Sequence, residues 1–321
     1  MTPTVAMDQQ EQVSARDLLS DADLTPGDLA LIFDLAERVK ASPGAYSRAL
    51  AGKQLAMIFE KPSLRTRTTF EVGMTSMGGH AIYLDHTKPR LGERESIKDV
   101  ARNLERWVDG IVARTYAHQA VVELAGNASI PVVNALTDLY HPCQAVSDFF
   151  TLREKFGRLR GLKFAFIGDG NNVCHSLMLT GAKLGVSVRV ATPAGFEPKP
   201  EVTEEARAAG RSASASPQLF HDPFEAVAGA QVVYTDVWAS MGQEFAAHLR
   251  SQVFAPFQVN NTLMATACRD AVFMHCLPAH RGQEVTDSVL DSNRSIVYDQ
   301  AENRLHVQKA ILMLLMQAET R

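Results

Sequence analysis

Two hydrophobic rhythms alternate along the chain. Around Leu29, Ile32, Phe33, Leu35, Ala36 and Val39 the apolar positions fall three and four residues apart, which predicts an amphipathic helix ending near Ser42-Pro43-Gly44. Shorter apolar runs at Gln54–Phe59, Ala81–Leu84, Gly110–Ala113 and Val132–Asn134 predict strands, with helical patterns between them. Strands and helices in alternation predict a parallel sheet. The stretch Ala145–Phe156 reads as a helix, and after Gly157 a second set begins, with strand candidates at Lys163–Ile167, Val186–Ala191, Gln231–Thr235, Ala271–His275 and Ser295–Tyr298. Glu204–Pro217, rich in Ala, Ser and Gly, reads as a helix end followed by a surface loop. A helix with an apolar face is predicted over Ala301–Gln317, and the polar residues 1 to about 14 are expected to be disordered. The expected fold is α/β, with two domains that are each a parallel β-sheet flanked by helices.

Composition narrows the class of molecule. At 321 residues, 46% hydrophobic and 21% charged, the chain is long enough for about two domains with substantial cores. A formal net charge of -4 argues against a nucleic-acid partner, while leaving room for a local basic cleft. No window of about 18 consecutive apolar residues occurs, so no membrane span is expected. The stretch Met1 to Gln12 carries two acids and no base, unlike a secretory signal or an Arg-rich transit peptide. Cys143, Cys174, Cys268 and Cys276 are too few and too scattered for a disulfide scaffold, which makes a reducing cytoplasm the expected setting.

The densest chemistry lies in Phe59-Glu-Lys-Pro-Ser63-Leu64-Arg65-Thr66-Arg67. A strand ending at Phe59 delivers the chain to a turn at Pro62, after which Ser63 or Thr66 caps a helix whose free N–H groups and positive end attract an anion. Arg65 and Arg67 add planar donor forks suited to phosphate or carboxylate oxygens. Two arginines at a helix start also fit an ordinary solvated cap. With the strand end, the proline and the hydroxyls around them, the combination reads as a phosphate cradle.

Two other readings fail on spacing. Gly168-Asp-Gly170-Asn171-Asn172 follows a strand and opens a helix, as a dinucleotide fingerprint would. Val173 stands where a third glycine is needed, however, and the next strand ends in Ala191-Thr-Pro without the acid that would hold a ribose, so NAD is not expected. His141, Cys143, His275 and Cys276 are zinc ligands by type. Neither pair has the usual two-to-four-residue chelate spacing, and adjacent side chains on a strand are expected to point to opposite faces. No metal and no cofactor is expected.

Ser63-Leu64-Arg65-Thr66-Arg67 resembles the carbamoyl-phosphate signature of the aspartate and ornithine carbamoyltransferases. His141-Pro-Cys-Gln144 is similar to the His-Pro-x-Gln element of that family. Asp236-Val-Trp-Ala-Ser240-Met241-Gly242 resembles the mobile loop of its ornithine members, and His275-Cys276-Leu277-Pro278 their Cys-bearing segment. These motifs occur in the family's order and span nearly the whole chain. The resemblance implies carbamoyl transfer from carbamoyl phosphate to the side-chain amine of L-ornithine, giving L-citrulline and phosphate, by ordered binding and loop closure in a homotrimer. It also implies a carbamoyl-phosphate-binding domain over residues 1–148, with a final helix (301–321) returning to it, and an ornithine-binding domain over 149–300.

The reaction sets three requirements: neutralise a dianion, polarise a carbonyl and present an unprotonated amine. By the resemblance, Ser63, Leu64 through its backbone N–H, Arg65, Thr66 and Arg114 take the phosphate. His141 and Gln144 suit the carbamoyl oxygen and amide, and Arg304, Cys276 and Leu277 are further carbamoyl-phosphate contacts. Asn172, Asp236, Ser240 and Met241 form the ornithine site. Because the ornithine side-chain ammonium ionises near the Lys value of about 10.4, a carboxylate at Asp236 to hold it and a thiol at Cys276 to accept or relay a proton fit the task. A His before Pro is ordinarily a packed loop residue, and a free Cys is ordinarily a small buried hydrophobe. The motif context favours the functional reading for His141 and Cys276. Gly242 would let the loop hinge. Arg90 stands where ornithine members commonly carry Gln, and it either adds charge to the site or faces outward. Sister enzymes acting on N-acetylornithine, succinylornithine or putrescine share the phosphate motifs, but Asp236 with Ser240-Met241-Gly242 favours free ornithine. A non-catalytic paralogue would lack some of Arg65, His141, Asp236 and Cys276, and all four are present.

Overall fold

The computed structural model describes residues 12–238 and 247–317. Within them the strands are β1 (Gln54–Phe59), β2 (His80–Asp85), β3 (Gly110–Arg114), β4 (Val132–Leu136), β5 (Lys163–Ile167), β6 (Ser187–Ala191), β7 (Gln218–Phe220), β8 (Val232–Thr235) and β9 (Val272–His275). They form two sheets, ordered β2-β1-β3-β4 and β7-β6-β5-β8-β9, and every pairing is parallel. The chain divides into two compact units, Met1–Phe150 with Glu302–Arg321, and Thr151–Ala301. It passes between them inside the helix Pro142–Phe156 and again inside the helix Val297–Met316. The C-terminal helix thereby returns to the first unit, where Lys40 Nζ donates to Asn303 Oδ1 at 2.9 Å.

Strands buried on both faces read as nearly continuous apolar runs, and the central strands here come close to that, with Asn134 and Arg114 as buried polar exceptions. All of β3 and β4 is buried. Ala56, Ile58, Ile111, Ala113 and Val132 form one core of the first unit with Val121 and Leu124. Ala165, Ile167, Val233 and Phe273 pack with Phe257, Leu263 and Val289 in the second. Emptying such a position, as in Ile58→Ala, costs about 2–5 kcal/mol through lost transfer energy and the cavity left behind.

Register aligns the strand ends. Phe59 pairs with Arg114, while Ile167 pairs with Thr235, which pairs with His275. The residues that follow those positions therefore lie along the carboxyl edge of each sheet. In each sheet the strand order also reverses, between β1 and β3 in the first and between β5 and β8 in the second. Such switch points leave a crevice at the carboxyl ends of the strands, where open α/β sheets bind ligands.

Two expectations are corrected, and one strand was not foreseen. Ser295–Tyr298 is not a strand: Ser295 makes an isolated bridge to Phe273, and the last helix begins at Val297, earlier than Ala301. The β-branched pair Ile296-Val297 imitates a strand locally, but the residues after it continue at helical spacing. Gln218–Phe220 forms the edge strand β7, too short for any periodicity to announce it. Ser14 is already fixed, its N–H and hydroxyl donating to the Asp28 carboxylate at 2.9 and 2.6 Å, while residues 1–11 of the expected disordered stretch lie outside the described residues. Among the described residues, no helix is long and apolar enough to cross a membrane.

Candidate functional site

In the first unit the cradle is built at the end of β1. Ser63, in extended backbone, caps the helix Leu64–Ser76, its Oγ accepting from the Thr66 N–H at 3.3 Å. The cap is therefore Ser63, which leaves the Thr66 hydroxyl to accept from Arg304 Nη2 at 3.2 Å. The Leu64 side chain is 78% exposed, so its amide is the part of it that belongs to the helix start. Arg114 is buried at the end of β3, and its carbonyl accepts from the Glu60 N–H at 2.9 Å. His141 immediately precedes the helix Pro142–Phe156, and its carbonyl accepts from the Gln144 N–H at 3.0 Å. Gln144 Oε1 accepts from Arg304 Nη1, while its Nε2 donates to Asp148 Oδ1 at 2.7 Å. One buried guanidinium from the last helix thus joins the first turns of two others.

The electrostatics of this cluster are those of an anion site. Burial first, then the charges of Arg304, Arg114 and Arg65, hold the His141 pKa well below the usual histidine value. His141 is accordingly neutral at pH 7 and can donate a hydrogen bond without adding a further positive charge. The second fork of the cradle goes elsewhere: Arg67 lies 3.9 Å from the Tyr83 ring centroid and ion-pairs with Glu71 at 3.4 Å. Arg90 is exposed, with its guanidinium 4.1 Å from the centroid of Tyr116, a ring it shares with Lys61 Nζ at 3.8 Å.

The second unit assembles a different chemistry at the ends of β5, β8 and β9. Asp236 Oδ1 accepts from the Val237 N–H at 2.8 Å and from the Cys276 thiol at 3.0 Å, and its Oδ2 accepts from Asn171 Nδ2 at 2.8 Å. Asn171 also caps the helix Asn172–Lys183, its Oδ1 accepting from the N–H groups of Val173 and Cys174. Asn172 is the first residue of that helix and half-buried. Ser240 and Met241 lie outside the described residues. Gly170 has a purpose unconnected with nucleotides: a Cβ there would fall 2.2 Å from the Pro198 nitrogen, so only glycine lets the segment 196–198 pass.

His275 and Cys276 do not diverge as strand alternation demands. Together with Asp236 they bring one potential ligand atom each within 4.8 Å of one another. The chain leaves the strand at Cys276 because Leu277 adopts a left-handed conformation, φ 57°. Both ring nitrogens of His275 are engaged, Nδ1 accepting from the Leu277 N–H at 2.8 Å and Nε2 facing Glu284 Oε1 at 3.2 Å. A metal bound there would have to break one of these contacts.

With the geometry in place, the family models decide the class. Residues 16–154 match the carbamoyl-P binding domain of aspartate/ornithine carbamoyltransferase, and residues 160–315 match its Asp/Orn binding domain. The chain belongs to the aspartate/ornithine carbamoyltransferase family. It is 53% identical over 306 residues to the ornithine carbamoyltransferase of Pyrococcus horikoshii, covering 95% of this chain and 96% of that one. It is 52% identical to the anabolic ornithine carbamoyltransferase of Pyrococcus furiosus, covering 95% and 97%. The solved structure of ornithine carbamoyltransferase from Pyrococcus furiosus superposes with a TM-score of 0.93 at 51% identity, covering 96% of this chain and 99% of that one.

Sequence reasoning passed over several residues that this carbamoyltransferase fold uses at its strand ends. Asn171 orients the Asp236 carboxylate, and an Asn directly before a helix is a readable cap signal. Arg250 is buried, donating from Nε to the Trp238 carbonyl at 2.9 Å and from Nη2 to Asp169 Oδ2 at 2.6 Å. Glu60, also buried, accepts from the N–H groups of Leu91 and Tyr116 at 3.1 and 2.6 Å, tying the loop that carries Arg90 to the end of β3. For Arg250 and Glu60 no local pattern marks the role, since their partners lie far away in sequence.

Proposed function

We propose that the chain transfers the carbamoyl group of carbamoyl phosphate to the side-chain amine of L-ornithine, forming L-citrulline and phosphate. The observation that carries this reading is a neutral His141 beside Arg65, Arg114 and Arg304 in the unit that matches the carbamoyl-P binding model. The relatives named above, anabolic in one case, support ornithine as acceptor and a biosynthetic direction.

In this reading Ser63, the Leu64 amide, Arg65, Thr66 and Arg114 hold the phosphate, with Arg90 at the margin and Arg304 bridging phosphate and carbamoyl groups. His141 and Gln144 address the carbamoyl oxygen and amide, and Cys276 and Leu277 contact the same group. Asn172, Asp236, Ser240 and Met241 hold ornithine, with Asp236 attracting its side-chain ammonium. Once that ammonium has lost a proton, the amine lone pair forms the new C–N bond and the carbonyl electrons move onto oxygen, where a donor such as His141 stabilises the developing charge. The C–O bond to phosphate then breaks with its electron pair, and the second amine proton leaves through Cys276 and Asp236 or to the departing phosphate. The functional domains in this reading are 1–148 with 301–321, and 149–300. A homotrimer in the cytoplasm is part of the same proposal, supported by the family resemblance and by four cysteines that are all free thiols.

Citrulline formation by the purified chain with carbamoyl phosphate, offering L-ornithine, N-acetylornithine, putrescine and aspartate separately, tests the reaction. Turnover with ornithine alone is expected. Turnover with another amine overturns the acceptor, and no turnover with any of them overturns the enzyme. Light scattering tests the trimer.

A further inference from the structure

Behind Cys276 lies a buried polar pair that the reaction above does not use. His275 and Glu284 are both fully buried, with Nε2 and Oε1 3.2 Å apart. Glu284 Oε1 also accepts from the His280 N–H at 2.5 Å, while its Oε2 is buried with no hydrogen-bond partner among the described residues. Burying a carboxylate in this way is a poor route to stability, because apolar residues of similar volume pack at lower cost. Its geometry indicates a different use.

His275 Nδ1 accepts the Leu277 N–H at 2.8 Å, so Nδ1 must be bare and the ring proton of the neutral imidazole must sit on Nε2, facing Glu284. The opposite tautomer would set an N–H against the Leu277 N–H. Leu277 needs this restraint, since a left-handed conformation is unfavourable for a residue that carries a Cβ. That conformation turns the chain directly after Cys276 and aims the thiol at Asp236 Oδ1, 3.0 Å away. The backbone of His275 is pinned too, its N–H donating to Gln300 Oε1 at 3.0 Å, with Gln300 Nε2 donating to the Tyr234 hydroxyl at 3.2 Å.

We propose that Glu284 and His275 are positioning residues: Glu284 fixes the tautomer of His275, whose Nδ1 holds Leu277 left-handed and so directs Cys276 onto Asp236 and the incoming amine. The proposal rests on the carbamoyl-transfer reading for its kinetic consequence and on hydrogen-bond geometry for its structural one. A misplacement of about 1 Å at the reacting group costs on the order of 10²-fold. The two consequences are therefore measured separately.

The experiment compares Glu284→Met, which removes the acceptor, with Glu284→Gln, which keeps one, reading steady-state kinetics, thermal unfolding and the rate at which iodoacetamide labels Cys276 by peptide mass spectrometry. In Glu284→Met, labelling is expected to rise severalfold as the thiol leaves Asp236, and kcat to fall roughly 10- to 100-fold. Glu284→Gln is expected to stay near the parent in both. A folded Glu284→Met with parental labelling and kcat overturns the proposal. If that variant does not fold, His275→Asn against His275→Ala decides, since Asn keeps an acceptor near the Nδ1 position. Protection of Cys276 in the Asn variant alone supports the tether, and equal labelling in both overturns it. Should the parent chain make no citrulline, the carbamoyl-transfer reading falls, and labelling still reports whether Glu284 holds Cys276.

Discussion

At the carboxyl edge of the first sheet stands a histidine that its own burial first, and then the charges of Arg304, Arg114 and Arg65, keep neutral. At the same edge of the second sheet, Asp236 gathers an amide, a backbone N–H and a thiol. One region is a cluster of fixed cations locked by long-range hydrogen bonds. The other is a carboxylate whose donors include a thiol able to exchange a proton. The contrast follows from what each is proposed to meet. A phosphate dianion is best held by charge assembled before it arrives, so that no reorganisation is needed in the transition state. An alkyl ammonium must instead be attracted and then relieved of a proton, which calls for a negative group with exchangeable neighbours.

The sharpest way to break the contrast is to remove a fixed cation. Arg304→Met is expected to lower kcat/KM for carbamoyl phosphate by roughly 10³-fold or more, because it strips the charge and frees Gln144 and Thr66 together. A loss below tenfold in steady-state kinetics would mean that Arg304 is a structural strut. Asp236→Asn should cost roughly 10²-fold, expressed mainly in ornithine use and its pH dependence. If carbamoyl-phosphate KM moves instead, the division of labour between the units is wrong.

Asn171 refines the second region. Asn171→Ala removes a helix cap, worth about 1 kcal/mol, and one donor to Asp236, and ornithine kcat/KM should fall roughly tenfold. Asn171→Asp preserves the cap but sets a carboxylate against Asp236, so calorimetry should find it near parental in stability at acid pH and weaker at neutral pH. An equal deficit at both would sink the contact.

His141 gives the first region a signature in stability. Its folded pKa lies well below the ordinary value of 6.5, so below that pH the unfolded chain takes up a proton that the folded chain refuses. Stability contributed at this position is therefore lost as pH falls below 6.5, by at most about 1.4 kcal/mol per pH unit. In denaturant titrations His141→Asn should lack that component, so its stability relative to the parent rises on acidification. A relative loss on acidification would show His141 protonated in the folded protein. The smallest effect is expected from Arg90→Gln: with its guanidinium on Tyr116 and exposed, kinetics should change by no more than about threefold. A larger change would move Arg90 into the site.

These regions also differ in how far the sequence disclosed them. Ser63 to Thr66 were legible because a cap, a proline turn and cations act within a few residues of one another. The parallel α/β architecture was legible because strands buried on both faces leave continuous apolar runs. Arg304 was reached through family resemblance, since its contact with Thr66 spans 238 positions and leaves no local pattern. Glu60, Arg250 and Glu284 escaped notice for a related reason. Acids and bases are ordinarily surface residues, and nothing near Glu60 or Arg250 announces burial against distant partners, while Glu284 is buried against His275 and His280 only because the chain turns back after β9. The twin asparagines were half-read: Asn172 was chosen for a ligand, while its neighbour holds Asp236.

Arg304 also sets a timetable. A ribosome adds about 5–20 residues per second, and Thr66 and Gln144 have left it long before the residue that joins them is made, 238 and 160 positions later. Until then the sheet carrying the cradle lacks the strut that ties its two helix starts together. A chain cut before position 304 would lack that strut for good, however well its first sheet formed.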